Sequence, residues 1–313
     1  MMLPLPRFDL AMPATVDEAT ALMANDGTLV VAGGTDLLPS MKHRLFKPEL
    51  LVSLTRLADL QTIEARPDGG LAIGAMVRLG DVMRHPTVKS AYPALAEGCR
   101  TIATPTIQEM GTLGGNVMLD TRCLYYNQPA GWRKSIGGCL KAEGQICHVA
   151  PRGKGCYAAH SADTVPTLAL LGAQLELHSA SGTRIVQLND IFGEDGRTWL
   201  KIQPNELLTR ILIPPPPVGR VGHRKLRLRQ SIDYPLLLTA AHLRPDGSGS
   251  VIISSLGPAP VRLDFDSGSS PESIADTAFK QAFPLTTHFA SAPWRKRMVR
   301  VEVRRTLEAL RFA

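Results

Sequence analysis

Short apolar runs alternate with amphipathic segments in the first half of the chain, which predicts a mixed α and β fold. Residues 15–24 have a helical pattern, with Thr15 as N-cap and Glu18 three residues later. A second helix is predicted over 79–84 and a third over 163–171. Strands are predicted at 29–32, 51–54 and 71–75, and as a hairpin at 174–178 and 183–186.

The second half of the chain begins near a run of prolines. Pro214 to Pro217 cannot continue a helix or a central strand, so a domain junction is predicted between about 190 and 218. Beyond it, strands are predicted at 224–228 and 251–254, with an apolar segment at 236–243. We expect three parts: residues 1–55, residues 56–200 and a C-terminal domain over 215–313.

The chain ends in a helical pattern. Val299, Val303, Leu307 and Leu310 fall on one face at helical spacing. Six basic residues of the segment are expected on the outer face, facing solvent, a partner subunit or an anion: Arg295, Lys296, Arg297, Arg300, Arg304 and Arg305.

Hydrophobic periodicity disappears in residues 120–159, called the cysteine loop below. A structureless stretch of that length is unusual inside a compact domain, but a bound metal centre could order it. Its cysteines are separated by 15, 7 and 8 residues: Cys123, Cys139, Cys147 and Cys156. Structural zinc usually binds closely spaced pairs, whereas an iron-sulfur cluster accepts thiolates from a long loop. Spacing alone leaves a cluster, zinc and unligated thiols open. His148 and His160 could replace a thiolate, but each is expected to be a surface or packing histidine.

Two glycine turns are candidates for binding phosphate. Gly33 and Gly34 follow a predicted strand, and Gly114 and Gly115 lie in the second turn. Missing β-carbons allow backbone N–H groups to approach a pyrophosphate. Neither turn has the GxGxxG spacing of the common dinucleotide fold. The pair of turns nevertheless suits a ligand with two phosphates.

Composition narrows the class of protein. The chain has 313 residues, of which 44% are hydrophobic and 20% charged, as expected of a globular protein with two or three subdomains. No apolar run is long enough to span a membrane, and no secretory signal is evident, so a cytoplasmic location is expected. Five cysteines in that setting favour metal ligation over disulfides. The net charge of +7 is scattered and aromatic content is only 5%, which disfavours nucleic acid binding.

Five segments together carry a family resemblance. They are VVAGGTDLLPSM at 30–41, TLGGNVMLDTRC at 112–123, CLYYNQ at 123–128, HSADTVPTLALLGA at 160–173 and KLRLRQSIDYPLLLTAA at 225–241. The chain resembles the flavoprotein subunits of molybdenum hydroxylases, the xanthine oxidase and CO dehydrogenase family. Its cysteine loop resembles that of the β subunit of 4-hydroxybenzoyl-CoA reductase. The resemblance is good to about residue 245 and weaker beyond.

The resemblance implies an α+β fold. A PCMH-type FAD-binding fold of two α/β subdomains, with the cysteine-rich loop inserted, would precede a C-terminal α+β domain like that of the CO dehydrogenase flavoprotein. It also implies FAD and 4Fe-4S as cofactors. The implied cluster ligands are Cys123, Cys139, Cys147 and Cys156. The implied FAD contacts are Ala32, Gly33, Gly34, Thr35, Asp36, Leu37, Leu38, Thr112, Gly114, Gly115, Asn116, Asp120, Asp163 and Lys225.

By the same resemblance, the chain works with partners. A molybdenum cofactor subunit, which would hold the catalytic site, and a 2Fe-2S subunit are implied, in a hetero-oligomer that could be a dimer of heterotrimers. In the reductase, electrons would pass from ferredoxin through the 4Fe-4S cluster and FAD to molybdenum, for reductive dehydroxylation of an aromatic acyl-CoA. The alternatives are an oxidative complex acting on an aldehyde or N-heterocycle, and a zinc-stapled basic binding module.

Overall fold

The computed structural model describes residues 3–229, 231–287 and 289–312. Its first part is a parallel sheet of order β1-β3-β2, flanked by two helices. The elements are β1 Asp9–Ala11, α1 Val16–Met23, β2 Thr28–Val31, α2 Leu37–Lys42 and β3 Leu50–Ser53. Thr15 caps α1 by accepting a bond from the Glu18 N–H at 3.1 Å, as the sequence predicts. The Glu18 carboxylate reaches back one residue further, to the N–H of Ala14 at 2.8 Å.

The second part is an antiparallel sheet of order β4-β5-β8-β6-β7. Its strands are β4 Ile63–Ala65, β5 Leu71–Gly74, β6 Gln174–Ser179, β7 Gly182–Gln187 and β8 Leu207–Ile213. The helices of this region are α3 Leu79–Arg84, α4 Pro86–Ala91, α5 Pro93–Arg100, α6 Pro105–Gln108, α7 Leu113–Val117, α8 Ala130–Ser135 and α9 Val165–Leu170. Leucine, isoleucine and valine side chains from this sheet, α3, α5 and α9 form one buried core. The helix predicted at 79–84 and the hairpin at 174–186 are confirmed.

The third part is an antiparallel sheet of order β12-β11-β10-β9 covered by two helices. Its elements are β9 Arg220–Leu226, β10 Leu237–Leu243, β11 Gly249–Ser254, β12 Val261–Phe265, α10 Pro271–Gln281 and α11 Ala292–Phe312. The four apolar positions predicted for the last helix are all buried: Val299, Val303, Leu307 and Leu310. The mixed α and β fold expected from sequence is confirmed.

One basic residue of the last helix lies where the sequence does not predict it. Arg295 is buried and donates to the carbonyls of Leu285, Leu236 and Ser255. Burial lowers its pKa to about 10. Three other basic residues of the helix are paired with carboxylates within the chain: Arg300 with Asp276, Arg304 with Glu308 and Arg305 with Glu302. Most of the expected basic face is therefore neutralised locally.

The cysteine loop is ordered by contacts with the rest of the chain. Arg122 and Ala159 pair through reciprocal backbone bonds of 2.8 Å and close its base. Within it, α8 carries Arg133, which is 1% exposed and donates to the carbonyls of His43 at 3.0 Å and Arg44 at 3.3 Å. A buried arginine thus fastens the loop to the end of α2. Nowhere in the described ranges is a helix long and apolar enough to cross a membrane.

Candidate functional site

A cavity of about 990 Å³ lies against both glycine turns. Its wall comes from β2, α7 and β9, from the segments that follow them, and from the segment that precedes α9. The lining includes every FAD contact implied by the family resemblance except Leu38. Leu38 packs behind the first turn, where its Cδ1 would stand 3.1 Å from a β-carbon placed on Gly34. A pocket of this volume suits a large organic ligand.

The first glycine turn requires glycine for two different reasons. Gly34 has a φ of +70°, a left-handed conformation that side chains with a β-carbon rarely adopt. A β-carbon on Gly33 would lie 1.9 Å from the carbonyl oxygen of Met110. The turn is therefore pressed against the segment that leads into the second turn, and the two phosphate-binding candidates form one continuous wall.

The second glycine turn starts a short helix. Thr112 caps α7, and its hydroxyl accepts a bond of 3.0 Å from the N–H of Gly115. A β-carbon on Gly114 would lie 2.6 Å from the β-carbon and the carbonyl oxygen of Ala75, so only glycine fits at this position. The amide oxygen of Asn116 accepts from the hydroxyl of Thr164 at 2.6 Å, which ties the turn to the start of α9. Gly115 is exposed to the cavity.

A buried ion pair lies on the same wall. Lys225 Nζ is 2.6 Å from Asp163 Oδ1, and both residues are less than 8% exposed. Lys225 also donates to the carbonyl of Thr101 at 2.9 Å. An ammonium group has three donors, so one is left for a ligand. Burial raises the pKa of Asp163 to about 6, although the charge of Lys225 opposes the shift.

Asp120 lines the cavity, but its carboxylate is used by the cysteine loop. Oδ1 accepts from Lys141 Nζ at 2.5 Å, and Oδ2 accepts from the hydroxyl of Tyr126 at 2.9 Å. Both oxygens therefore have partners within the chain, and the residue joins the cavity wall to the loop. The Lys141 ammonium also lies 4.5 Å from the centre of the Tyr126 ring.

Arg122 is a cavity residue that sequence reasoning missed. Its guanidinium pairs with the carboxylate of Asp36 in the first turn and stands 4.3 Å from the ring centre of Tyr234. The charge of Arg122 offsets that of Asp36, which would otherwise repel a phosphate. The position of Arg122 directly before Cys123 is the sequence signal that could have indicated it. Trp199 and Arg229 also line the cavity and were not predicted.

The four cysteines of the loop are free thiols, and three of them are buried: Cys139, Cys147 and Cys156. Burial raises the pKa of Cys123, and charge on Cys139 or Cys147 would raise it further. Burial raises the pKa of Cys156 to about 11, while the N–H of Ala158 and the charge of Lys141 lower it.

A compact metal site is not formed by these residues. Among the described residues, no three His, Cys, Asp or Glu side chains are grouped to hold a metal ion. His148 stacks on Tyr125 with ring centres 5.0 Å apart and has a ring nitrogen 2.5 Å from the carbonyl of Gly138. His160 is fully buried between Phe192 and Trp199, with ring centres at 5.1 and 5.3 Å. Both histidines have packing roles, and the described residues show neither a zinc site nor a preformed site for the cluster implied by the resemblance.

Two glycine turns and a buried cation line one large cavity, a combination that suits a phosphate-bearing cofactor. The chain belongs to the family described as "FAD binding domain in molybdopterin dehydrogenase", which matches residues 6–216. The family resemblance drawn from sequence is thereby confirmed, and the cofactor of this domain is FAD. The chain is accordingly an FAD-binding subunit of the molybdenum hydroxylase type.

Individual relatives agree with this assignment. The chain is 33% identical over 270 residues to the aldehyde oxidoreductase FAD-binding subunit PaoB of Escherichia coli, covering 82% of this chain and 85% of that protein. It is 32% identical over 254 residues to the carbon monoxide dehydrogenase medium chain of Afipia carboxidovorans, covering 80% and 73%. The crystal structure of the cyanide-inactivated Cu,Mo-CO dehydrogenase is similar with a TM-score of 0.79 at 26% identity, over 98% of this chain and 99% of that one.

Proposed function

We propose that this chain carries a 4Fe-4S cluster in addition to FAD and transfers electrons within a molybdenum hydroxylase complex. The proposal rests on one observation: a loop with four free cysteines, three of them buried, is hydrogen-bonded to Asp120 on the cavity wall. Flavin exchanges electrons in pairs or singly, and a cluster exchanges them singly. A cluster in the loop would extend the electron path from the flavin towards the surface.

The spacing of the four cysteines along the chain favours a cluster over zinc. One zinc ion draws four ligands to about 2.3 Å from a single centre, which demands a compact group. A four-iron cluster offers four separate metal atoms, so its thiolates stand further apart. The fifth cysteine, Cys99, is buried in the core of the second sheet and takes no part.

Cysteine substitutions in the intact complex, prepared anaerobically, test the ligand set. Cys139→Ser is expected to deplete iron and acid-labile sulfide, because it removes one thiolate. Cys99→Ser is the matched control, since it changes a buried cysteine outside the loop and is expected to retain both. Equal iron and sulfide contents in the two variants would refute ligation by Cys139.

The complex that contains this chain is proposed to oxidise an aldehyde. A relative similar over most of the chain is named as the FAD-binding subunit of an aldehyde oxidoreductase, and others are named as dehydrogenase subunits. Reductive dehydroxylation of an aromatic acyl-CoA, with ferredoxin as donor, is the alternative suggested by the cysteine loop. A molybdenum subunit and a 2Fe-2S subunit would complete either complex.

The two directions predict different assays. If the complex is oxidative, an aldehyde alone should reduce an artificial dye, whereas an aryl-CoA with reduced viologen should not react. Viologen-driven dehydroxylation without aldehyde-dependent dye reduction would establish the reductive alternative. Neither result depends on the cluster ligands, so the assay separates substrate class from cofactor content.

We propose a division of the chain that follows the sheets. Residues 1–55 form the first FAD subdomain and include the parallel sheet. The second subdomain begins at about 56 and, since β8 belongs to its sheet, extends beyond 200 to Ile213. The C-terminal domain then covers 215–313.

A further inference from the structure

Trp199 belongs to a cluster of three aromatic rings beside the FAD cavity. Its ring is stacked on that of His160, with ring centres 5.3 Å apart and ring planes at 25°. Phe192 packs on the same imidazole with ring centres 5.1 Å apart. Among the described residues that line the cavity, Trp199 is present and His160 and Phe192 are not. The cluster therefore presents one ring to the cavity and keeps the other two behind it.

A short closed turn fixes the backbone of Trp199. The N–H of Gly193 donates to the carbonyl of Trp199 at 2.9 Å and closes the turn. Gly196, in the middle of the turn, is bonded to the cysteine loop through both of its backbone groups. Its N–H donates to the carbonyl of Cys156 at 2.7 Å, and its carbonyl accepts from the hydroxyl of Thr121 at 2.8 Å. The backbone and the ring of Trp199 are thus both held in place by the chain itself.

Two other aromatic side chains line the cavity, Phe46 and Tyr234, and neither is backed by a second ring in the described part of the chain. Tyr234 is 60% exposed, and its ring centre lies 4.3 Å from the guanidinium of Arg122. Trp199 differs, because one face of its indole is covered by His160 and the opposite face and the edge remain for the cavity. A ring that packing already orients loses little freedom when a ligand stacks on it.

We propose that Trp199 is a binding residue for FAD and that its indole stacks on one of the two planar ring systems of the cofactor, the isoalloxazine or the adenine. The two rings of FAD are joined through the phosphates that the glycine turns suit. Loss of an aromatic side chain that stacks on a base weakens binding by about tenfold. The proposal rests on the FAD of this domain and does not require the proposed cluster, which iron and sulfide contents test separately.

Binding of three nucleotides to the full chain, freed of its flavin, tests this role. Trp199→Met removes the ring but keeps an apolar side chain of adaptable shape, so FAD should bind about tenfold more weakly. Trp199→Phe keeps a ring and should bind FAD within about threefold of the wild type. FMN contains only the flavin ring and ADP only the adenine, so the probe that loses affinity together with FAD identifies the stacked ring. Trp132→Met, which changes an exposed tryptophan outside the cavity lining, is the control.

Fluorine NMR of the chain labelled with fluorotryptophan needs no change at Trp199. The chain has three tryptophans, so Trp132→Phe and Trp294→Phe assign all three signals. A ring that stacks on the indole should shift the Trp199 signal through its ring current when FMN or ADP is added. The Trp132 signal should stay where it is.

Two results would overturn the proposal. The first is an equal loss of FMN and ADP affinity in Trp199→Met that Trp199→Phe does not restore, because this pattern is expected of a residue that only supports the fold. The second is a Trp199 fluorine signal that neither FMN nor ADP moves, and this measurement decides if Trp199→Met fails to fold. A loss confined to one of the two probes, restored by phenylalanine, supports stacking on the ring of that probe.

Discussion

At the scale of single residues, Asp120 lines the cavity but accepts its hydrogen bonds from residues of the cysteine loop. Both of its carboxylate oxygens are bonded to the cysteine loop, through Lys141 and Tyr126. The sequence resemblance implied a contact with the cofactor. Because each carboxylate oxygen of Asp120 accepts a bond from the cysteine loop, we propose that this residue joins the loop to the cavity wall.

Gly115 offers a direct test of the second turn. It is exposed to the cavity and its φ is not positive, so a side chain there meets no backbone strain, and its β-carbon would lie 3.0 Å from the hydroxyl of Thr112. Gly115→Val is expected to reduce FAD occupancy of the purified chain by at least tenfold while the fold is retained. Gly34 is a poorer choice, because its φ of +70° would itself strain any variant.

Flavin absorbance per chain, with circular dichroism as the check on folding, measures this effect. Gly268→Val is the control, since nothing lies within 4 Å of its β-carbon position and it does not line the cavity. Full flavin occupancy in folded Gly115→Val would remove this residue from the cofactor site.

His160 predicts a pH dependence of stability. Burial lowers its pKa to about 4, below the ordinary value near 6.5. The unfolded chain therefore binds a proton before the folded chain does, and stability is lost as the pH falls from about 6.5 to about 4. The contribution is about 3 kcal/mol over this range, because one pKa unit corresponds to about 1.4 kcal/mol.

His160→Phe should remove this part of the pH dependence, because phenylalanine fits between Phe192 and Trp199 without titrating. Urea unfolding of both chains at several pH values measures the difference. Wild-type and variant curves that remain parallel between pH 6.5 and 4 would show that the buried imidazole contributes nothing.

At the scale of elements, the cysteine loop holds α2 at both ends. Arg122 pairs with Asp36 at its start, and the buried Arg133 donates to the carbonyls of His43 and Arg44 at its end. Carbonyls at a helix C-terminus lack partners within the helix, so an arginine there satisfies them. The first glycine turn leads directly into α2, and the loop therefore supports the FAD site as well.

Arg133→Met is expected to destabilise the chain by about 3 kcal/mol, because hydrogen bonds to a buried charged group are lost and the carbonyls of His43 and Arg44 are left without them. FAD should bind more weakly for the same reason. Lys134→Met, the neighbouring exposed residue of α8, should change neither quantity. Chemical denaturation and flavin titration measure both, and equal results for the two variants would contradict the proposed support of α2.

Elements with clear periodicity could be predicted from the sequence, and those held by long-range contacts could not. The helix at 79–84, the hairpin at 174–187 and the apolar face of α11 follow from local pattern. The placement of Arg133 and Arg295 does not, because each bonds carbonyls far away in the chain. The glycine turns of the site were found from sequence, whereas Arg122 and Tyr234 reach the cavity only through tertiary packing.

At the scale of the whole molecule, basic residues without an ion-pair partner indicate where a charged partner could dock. Much of α11 is neutralised within the chain. On the cysteine loop, Lys134, Arg152 and Lys154 have no ion-pair partner in the described part of the chain. Trp132 and Ile146 are also exposed there. An acidic electron carrier, such as the ferredoxin suggested by the family resemblance, would be expected to dock on this surface.

Charge reversal on the loop tests this expectation. Lys134→Glu together with Lys154→Glu should slow electron exchange with an acidic ferredoxin at least tenfold at low salt, and less at high salt because ions screen the attraction. Arg297→Glu on α11 is the matched control. Rapid-mixing absorbance kinetics give the rates, and equal slowing by the control would locate the docking surface elsewhere.

The central claim is that one chain holds both FAD and a four-iron cluster, and cofactor stoichiometry tests it most directly. The chain purified anaerobically from its complex, without the 2Fe-2S subunit, should contain about four iron and four sulfide per FAD by the four-iron assignment. It should give a cluster EPR signal on reduction. A chain with full flavin but neither iron nor sulfide would contradict the account.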